Sequence, residues 1–214
     1  MARARQFPAG VVPGRFGRWR RYTGRVSTLP LPPPRPPAHP PAAGEEVRLF
    51  LALWPDAGVR RALVRQRDAW SAAAGTRLMR PDTLHLTLHY IGHVPRSRLA
   101  EIRHGLKIPF APFAFGLERT DLWRHGIAVL ATDAMAPGMA DLHAALGKRL
   151  ADLGLPTDSA DFHPHVTLAR RAGRLVPAIP PLPLRWQVHD YVLVESRPGQ
   201  ESPYTVLERY PATA

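Results

Sequence analysis

The sequence predicts an α+β fold of two similar halves, with antiparallel or mixed sheets and helices outside. Three observations carry that reading. Strand and helix patterns follow the order β-α-β-β-α, then β-β-α-β and two closing strands, with short links. Each half holds one strand with histidine and threonine at i and i+2: Leu84-His85-Leu86-Thr87-Leu88, then Pro164-His165-Val166-Thr167-Leu168. The wide separation of these strands fits a duplicated lobe better than a short tandem repeat.

The elements follow in order. Residues 47–53 (Val-Arg-Leu-Phe-Leu-Ala-Leu) read as an apolar strand. Pro55 and Asp56 open a helix running to Ala74, with Val59, Leu63, Gln66 and Trp70 on one stripe and Gly75 as its stop. Its many arginines read as a solvated face. Residues 77–80 read as a short strand or extended approach, and Pro81-Asp82 turns the chain into a strand over 85–90 that Gly92 ends. A second helix is expected over 97–106 and strands over 113–117 and 127–132, joined through Leu122-Trp123 and a turn at His125-Gly126. A third helix over 136–153 keeps Met139, Leu142, Leu146 and Leu150 on a 3.6 period. Strands over 165–170, 184–194 and 204–210 complete the chain, with a proline-rich loop at 179–183 and a connecting loop at 196–202.

Residues 1–44 stand apart, with eight Arg, ten Pro and no acid. Proline lacks the backbone donor and fixes φ, so a disordered, partly polyproline tail is expected, and 45–214 form the folded domain. Arg3, Arg5, Arg15, Arg18, Arg20, Arg21 and Arg25 interleave with Phe16, Trp19 and Tyr22, the pattern of an RNA-binding arm. The formal charge of +12 lies mostly here, because the remainder holds 21 basic and 17 acidic residues. The absence of cysteine excludes disulfides, thiolate metal sites and cysteine nucleophiles. That absence also fits a reducing cytoplasm, no apolar run nears the roughly 20 residues that span a bilayer, and a cytoplasmic protein without membrane contact, acting as a monomer, is expected.

On a strand, side chains alternate between faces. His85 and Thr87 therefore share one face, as do His165 and Thr167, while leucines and valine anchor the other. Two such strands would arise by chance in about one chain in two hundred. Facing each other, they would surround one small anion with two imidazoles and two hydroxyls. That set suits phosphodiester acid–base chemistry: imidazole titrates near neutrality, and each hydroxyl can donate to a phosphate oxygen.

The chain resembles the 2H phosphoesterases, and among them the RNA 2′,3′-cyclic phosphodiesterases, also called 2′-5′ RNA ligase-like proteins. The resemblance rests on Arg48-Leu-Phe-Leu-Ala-Leu, Leu84-His-Leu-Thr-Leu followed by Gly92, Phe162-His-Pro-His-Val-Thr-Leu-Ala-Arg170 and Tyr204-Thr-Val-Leu, and spans about residues 46–211. It implies a bilobal, pseudo-symmetric fold whose cleft both motifs line. It further implies hydrolysis of 2′,3′-cyclic phosphate ends of RNA or nucleotides to 2′-phosphomonoesters, and reversible 2′-5′ joining. By position His85 would be the proton donor and His165 the proton acceptor, although pseudo-symmetry leaves these roles exchangeable. Thr87 and Thr167 would bind phosphate.

Arg170 lies an odd step from Thr167, so plain alternation turns it away toward a surface or structural ion pair, and a bulge or a strand end would be needed to bring it to the phosphate. Phe50 and Tyr204 are candidates for stacking a base or for the core. His163 reads as structural, and the other histidines as scattered polar positions. His85 with His89, and His163 with His165, have spacings compatible with metal ligation. The only nearby acids, Asp82, Asp158 and Asp161, read as caps, so no metal and no cofactor are expected. A competing reading is an RNA-binding module that uses the basic tail and has no turnover. The two readings part on whether the tail or the histidines are required.

Overall fold

The computed structural model describes residues 45–70, 75–157, 162–173 and 183–213. The basic tail, the expected caps at Asp158 and Asp161, and the loop at 179–182 lie outside the described residues.

Among the described residues, ten strands and three α-helices build one large sheet, a two-stranded ribbon and the helices that pack on them. Strand β1 (Glu46–Leu53) is followed by α1 (Ala57–Asp68), β2 (Arg77–Leu78), β3 (Leu86–Pro95) and α2 (Leu99–Gly105). The chain continues with β4 (Phe113–Leu117), β5 (Arg119–Trp123), β6 (Ile127–Ala131), α3 (Pro137–Asp152) and β7 (His165–Arg170). It closes with β8 (Leu184–Val188), β9 (Asp190–Ser196) and β10 (Tyr204–Pro211). The main sheet runs β10-β9-β1-β3-β7-β6-β5, with β2 added beside β7, and β4 pairs with β8 in a separate ribbon. All pairings between these strands are antiparallel.

Alternation along β1 explains the layering. Val47, Leu49, Leu51 and Leu53 join the main core, whereas Phe50 and Ala52 pack with Val192 and Val194 in a smaller cluster on the opposite face. Helix α1 packs on β7 and β8, and α3 on β3 and β4, closing the main core. The Asp56 carboxylate accepts from the Val59 N–H at 2.8 Å, the cap expected of an acid before a first turn.

The two motif strands meet in the middle of the sheet, at a single rung where Leu86 faces Val166. Four strands lie on one side of that rung and three, with β2, on the other. The two motif strands abut here, but the sides of the sheet are not the two halves of the sequence: the closing strands β9 and β10 join β1 and β3, and β2 joins β7.

Several expectations need correction. Helix α1 ends at Asp68, not Ala74, and buried Trp70 follows it. Gly92 does not end its strand, which runs on to Pro95. Between the pairs Leu49–Gly92 and Phe50–Tyr90, Ile91 is an extra residue, so β3 bulges and Gly92 takes φ +84°, a conformation open to glycine. Strand β5 forms where only a link was expected, as one arm of a hairpin with β6. The run 184–194 is two strands in different sheets, parted at His189.

Two further bulges position the cleft. In β3, Leu51 faces His89 and Ala52 faces Thr87, so Leu88 is an extra residue. In β7, Ala128 faces Ala169 and Val129 faces Thr167, so Leu168 is extra. Each falls directly after a motif threonine, and in each the bulged leucine and its successor are both buried: Leu88-His89 and Leu168-Ala169. An extra residue resets the alternation of everything beyond it.

Candidate active site

His85 and His165 are held in the same way. The ring of His85 donates through Nδ1–H to the Thr83 carbonyl at 2.7 Å, and His165 donates through Nδ1–H to the His163 carbonyl, also at 2.7 Å. A carbonyl can only accept, so each neutral imidazole carries its proton on Nδ1 and leaves Nε2 as a free acceptor. Both acceptor carbonyls lie two residues before their histidine. Thr83 is itself fixed, with its hydroxyl donating to the Arg80 carbonyl at 2.8 Å.

The surroundings of the two rings differ. His85 sits among aromatics, with ring centroids of Phe50 at 4.9 Å, Trp54 at 5.5 Å and Tyr204 at 5.2 Å. Loss of hydration there pulls its imidazole down to about 4, against the raising effect of the Thr83 hydrogen bond. The neighbouring His165 adds a smaller downward push. His165 packs against Trp123 at 4.3 Å and is also shifted down by burial, despite its own raising hydrogen bond. Both free imidazoles are therefore neutral at pH 7.

One cavity of about 230 Å³ is lined by His85, Thr87, His165, Thr167 and Arg170 together. The bulge at Leu168 explains the arginine. With parity reset, Thr167 and Arg170 reach the same side although they are three apart. The bulge at Leu88 does the same for Tyr90, which lines the cavity in the corresponding place of the other motif. Extending the Leu86–Val166 register by one residue each way sets His85 across from Thr167 and Thr87 across from His165.

Phe50 and Tyr204 both line the cavity, differently exposed. Phe50 is 5% exposed and meets His85 and Tyr204, forming a wall. Tyr204 is half-buried. His163 contributes its backbone carbonyl. His89 is turned away from the cleft into the core, where Nε2 hydrogen-bonds the His143 carbonyl at 2.8 Å and its ring stacks on His143 at 4.0 Å. The i, i+4 spacing of His85 and His89 therefore brings no shared site, because the bulge at Leu88 separates them. Among the described residues no three His, Asp or Glu side chains gather as metal ligands.

Sequence reasoning assigned no site role to Arg48, Trp54, Tyr90 or Trp123. Arg48 Nε donates to the Tyr90 hydroxyl at 2.9 Å, which sets a cation at the rim. Its signal was present, since Arg48 and Phe50 are i, i+2 on one strand. Tyr90 was not legible, because only ladder registration reveals the bulge. The tryptophans had no motif to mark them.

This fold and this paired histidine–threonine cleft define a two-histidine phosphoesterase class, and comparison agrees. The family model described as the 2′-5′ RNA ligase superfamily matches residues 54–200, and the chain belongs to that family. An RNA 2′,3′-cyclic phosphodiesterase of Thermus thermophilus is 32% identical over 178 residues, covering 77% of this chain and 89% of its own length. One of Escherichia coli is 28% identical over 176 residues, covering 79% and 98%. The crystal structure of E. coli LigT complexed with 3′-AMP matches with a TM-score of 0.71 at 27% identity, spanning 79% of this chain and 100% of that one. No helix among the described residues is long and apolar enough to cross a membrane.

Proposed function

We propose that the chain hydrolyses 2′,3′-cyclic phosphodiester ends of RNA or nucleotides to 2′-phosphomonoesters by two-histidine acid–base catalysis without a metal. The observation that carries this reading is the pair of imidazoles facing one cavity, each with Nδ1 tied to a backbone carbonyl and Nε2 free. Relatives named for this activity support it.

The step balances as follows. Nε2 of His165, the more open ring, takes a proton from water as its oxygen attacks phosphorus. The P–O3′ bond breaks, and protonated Nε2 of His85 gives its proton to the leaving O3′. Thr87 and Thr167 hydroxyls donate to the non-bridging oxygens, and Arg170 offsets charge growing there. Tyr204 offers a face to the base, and Phe50 backs it. The same geometry run backwards would join 2′-5′ RNA ends.

The test is incubation with a 2′,3′-cyclic nucleotide in chelator, with the product read by phosphorus NMR. A 2′-phosphate with undiminished rate is expected. A 3′-phosphate would reverse the leaving-group assignment, and chelator-sensitive turnover would remove the metal-free mechanism.

The shifts of both histidines predict the pH profile. Burial lowers both in the free protein, His85 to about 4. Catalysis needs one ring protonated, and that fraction falls as pH rises through the lowered pKa. The kcat/KM bell should therefore peak below pH 6.5. A bound phosphodiester anion favours the imidazolium and raises its pKa, so the kcat bell should sit at higher pH than the kcat/KM bell. A kcat/KM that climbs through pH 8 would contradict this electrostatic picture.

A further inference from the structure

Strand β2 is only two residues long, yet it sets Arg77 directly across from Arg170 of β7. Opposed residues of an antiparallel pair point to the same face, and like charges so placed repel. Neither guanidinium has an ion pair or hydrogen bond with another described residue. Arg80 differs, since its guanidinium is paired with Asp82 at 2.9 Å. Repulsion left uncompensated at a fixed rung is the arrangement an anion would relieve.

The anion would lie in a groove continuous with the histidine site. A second cavity of about 390 Å³ shares Arg48, Thr83, Arg170 and Tyr204 with the first and adds Arg77. Its far wall is the 196–203 loop, through Pro198, Gly199 and Pro203. Tyr204 borders both cavities, so a nucleoside leaning on its ring would have one phosphate between the histidines and the other beside Arg77.

We propose that Arg77, with Arg170, binds the phosphodiester on the 5′ side of the terminal nucleotide, so that the site takes the end of an RNA chain in preference to a lone cyclic nucleotide. This rests on the phosphoesterase reading. Arg77 acts as a specificity residue and touches no reacting atom.

The experiment compares kcat/KM for a nucleoside 2′,3′-cyclic phosphate, the same nucleoside with an added 5′-phosphate, and a dinucleotide ending in the cyclic phosphate. In the wild type the two substrates with the extra phosphate should gain about tenfold, the size of one charge-assisted contact. In Arg77→Ala that ratio should fall close to one, and in Arg77→Glu below one. A gain on the 5′-phosphorylated nucleotide that survives Arg77→Ala would assign the added phosphate to other groups and overturn the proposal, and a gain confined to the dinucleotide would assign it to the extra nucleoside and overturn it as well. Equal losses on all three substrates would overturn it too. Should the wild type turn over none of them, the phosphoesterase reading fails by itself. Calorimetric binding of a nucleoside 2′-phosphate and 2′,5′-bisphosphate then decides the subsite: a preference for the bisphosphate that Arg77→Ala abolishes supports it, and equal affinities overturn it.

Discussion

Replacing either His85 or His165 with alanine should slow hydrolysis of a 2′,3′-cyclic phosphate end by roughly 10²–10⁴, the usual contribution of a positioned proton donor or acceptor. Each variant loses one Nε2 and keeps the other ring, both threonines and Arg170. Phosphate binding should therefore suffer far less than turnover, so the loss should appear in kcat. The double variant should cost little more than the worse single one, because an acid without its base has no complete proton path. The pH profile separates the roles: the variant lacking the base should lose the acid limb, and the variant lacking the acid should lose the alkaline limb. His85 also fills space among Phe50, Trp54 and Tyr204, so unfolding curves should accompany the rates. Single-site rates within threefold of wild type would remove the two-histidine mechanism.

Replacing Glu195 with alanine should cost about 2–3 kcal/mol of stability and lower Tm by about 5–10 °C. Glu195 is 4% exposed on β9. Its carboxylate accepts from Arg197 Nε and Nη2, both at 3.0 Å, and from Arg96 Nη2 at 3.1 Å. Truncation leaves two guanidiniums turned toward each other across a vacated site. Breaking a fully buried pair costs about 3–5 kcal/mol. The cost here falls below that range because both arginines reach solvent and Arg96 keeps Glu45 at 2.9 Å. Glu195→Gln preserves shape and should cost less. Urea unfolding checks both, and a loss under about 0.5 kcal/mol for alanine would make the cluster a surface network of no consequence.

Much of the fold was legible because period and punctuation agreed. The stripe Met139, Leu142, Leu146 and Leu150 fixed α3 to within a residue or two, and alternation fixed the buried face of β1. What failed depended on partners. Arg119-Thr-Asp-Leu-Trp123 alternates poorly, and it is a strand because β6 pairs along its whole length. The run from Leu184 to Val194 alternates well enough to read as one strand, yet the chain changes sheets at His189, which no local pattern records. The site divides the same way. His85, Thr87, His165 and Thr167 reach one cavity as two-residue periodicity required. Arg170 could be put there only by a bulge, and a bulge belongs to the ladder between β6 and β7, not to the residues of β7 alone.

Those single skipped residues act as parity switches. Upstream of Leu168 the odd positions face the cleft; downstream it is the even ones. Smoothing the bulge so that Leu168 takes a rung of its own would leave His165 and Thr167 in place while sending the arginine side chain toward the apolar layer and bringing Ala169 out. The same edit at Leu88 would exchange the tyrosine in the other motif. The reacting pair and the groups that border it are thus set by separate variables, so the rim of this cleft can change its chemistry without a single substitution in either motif.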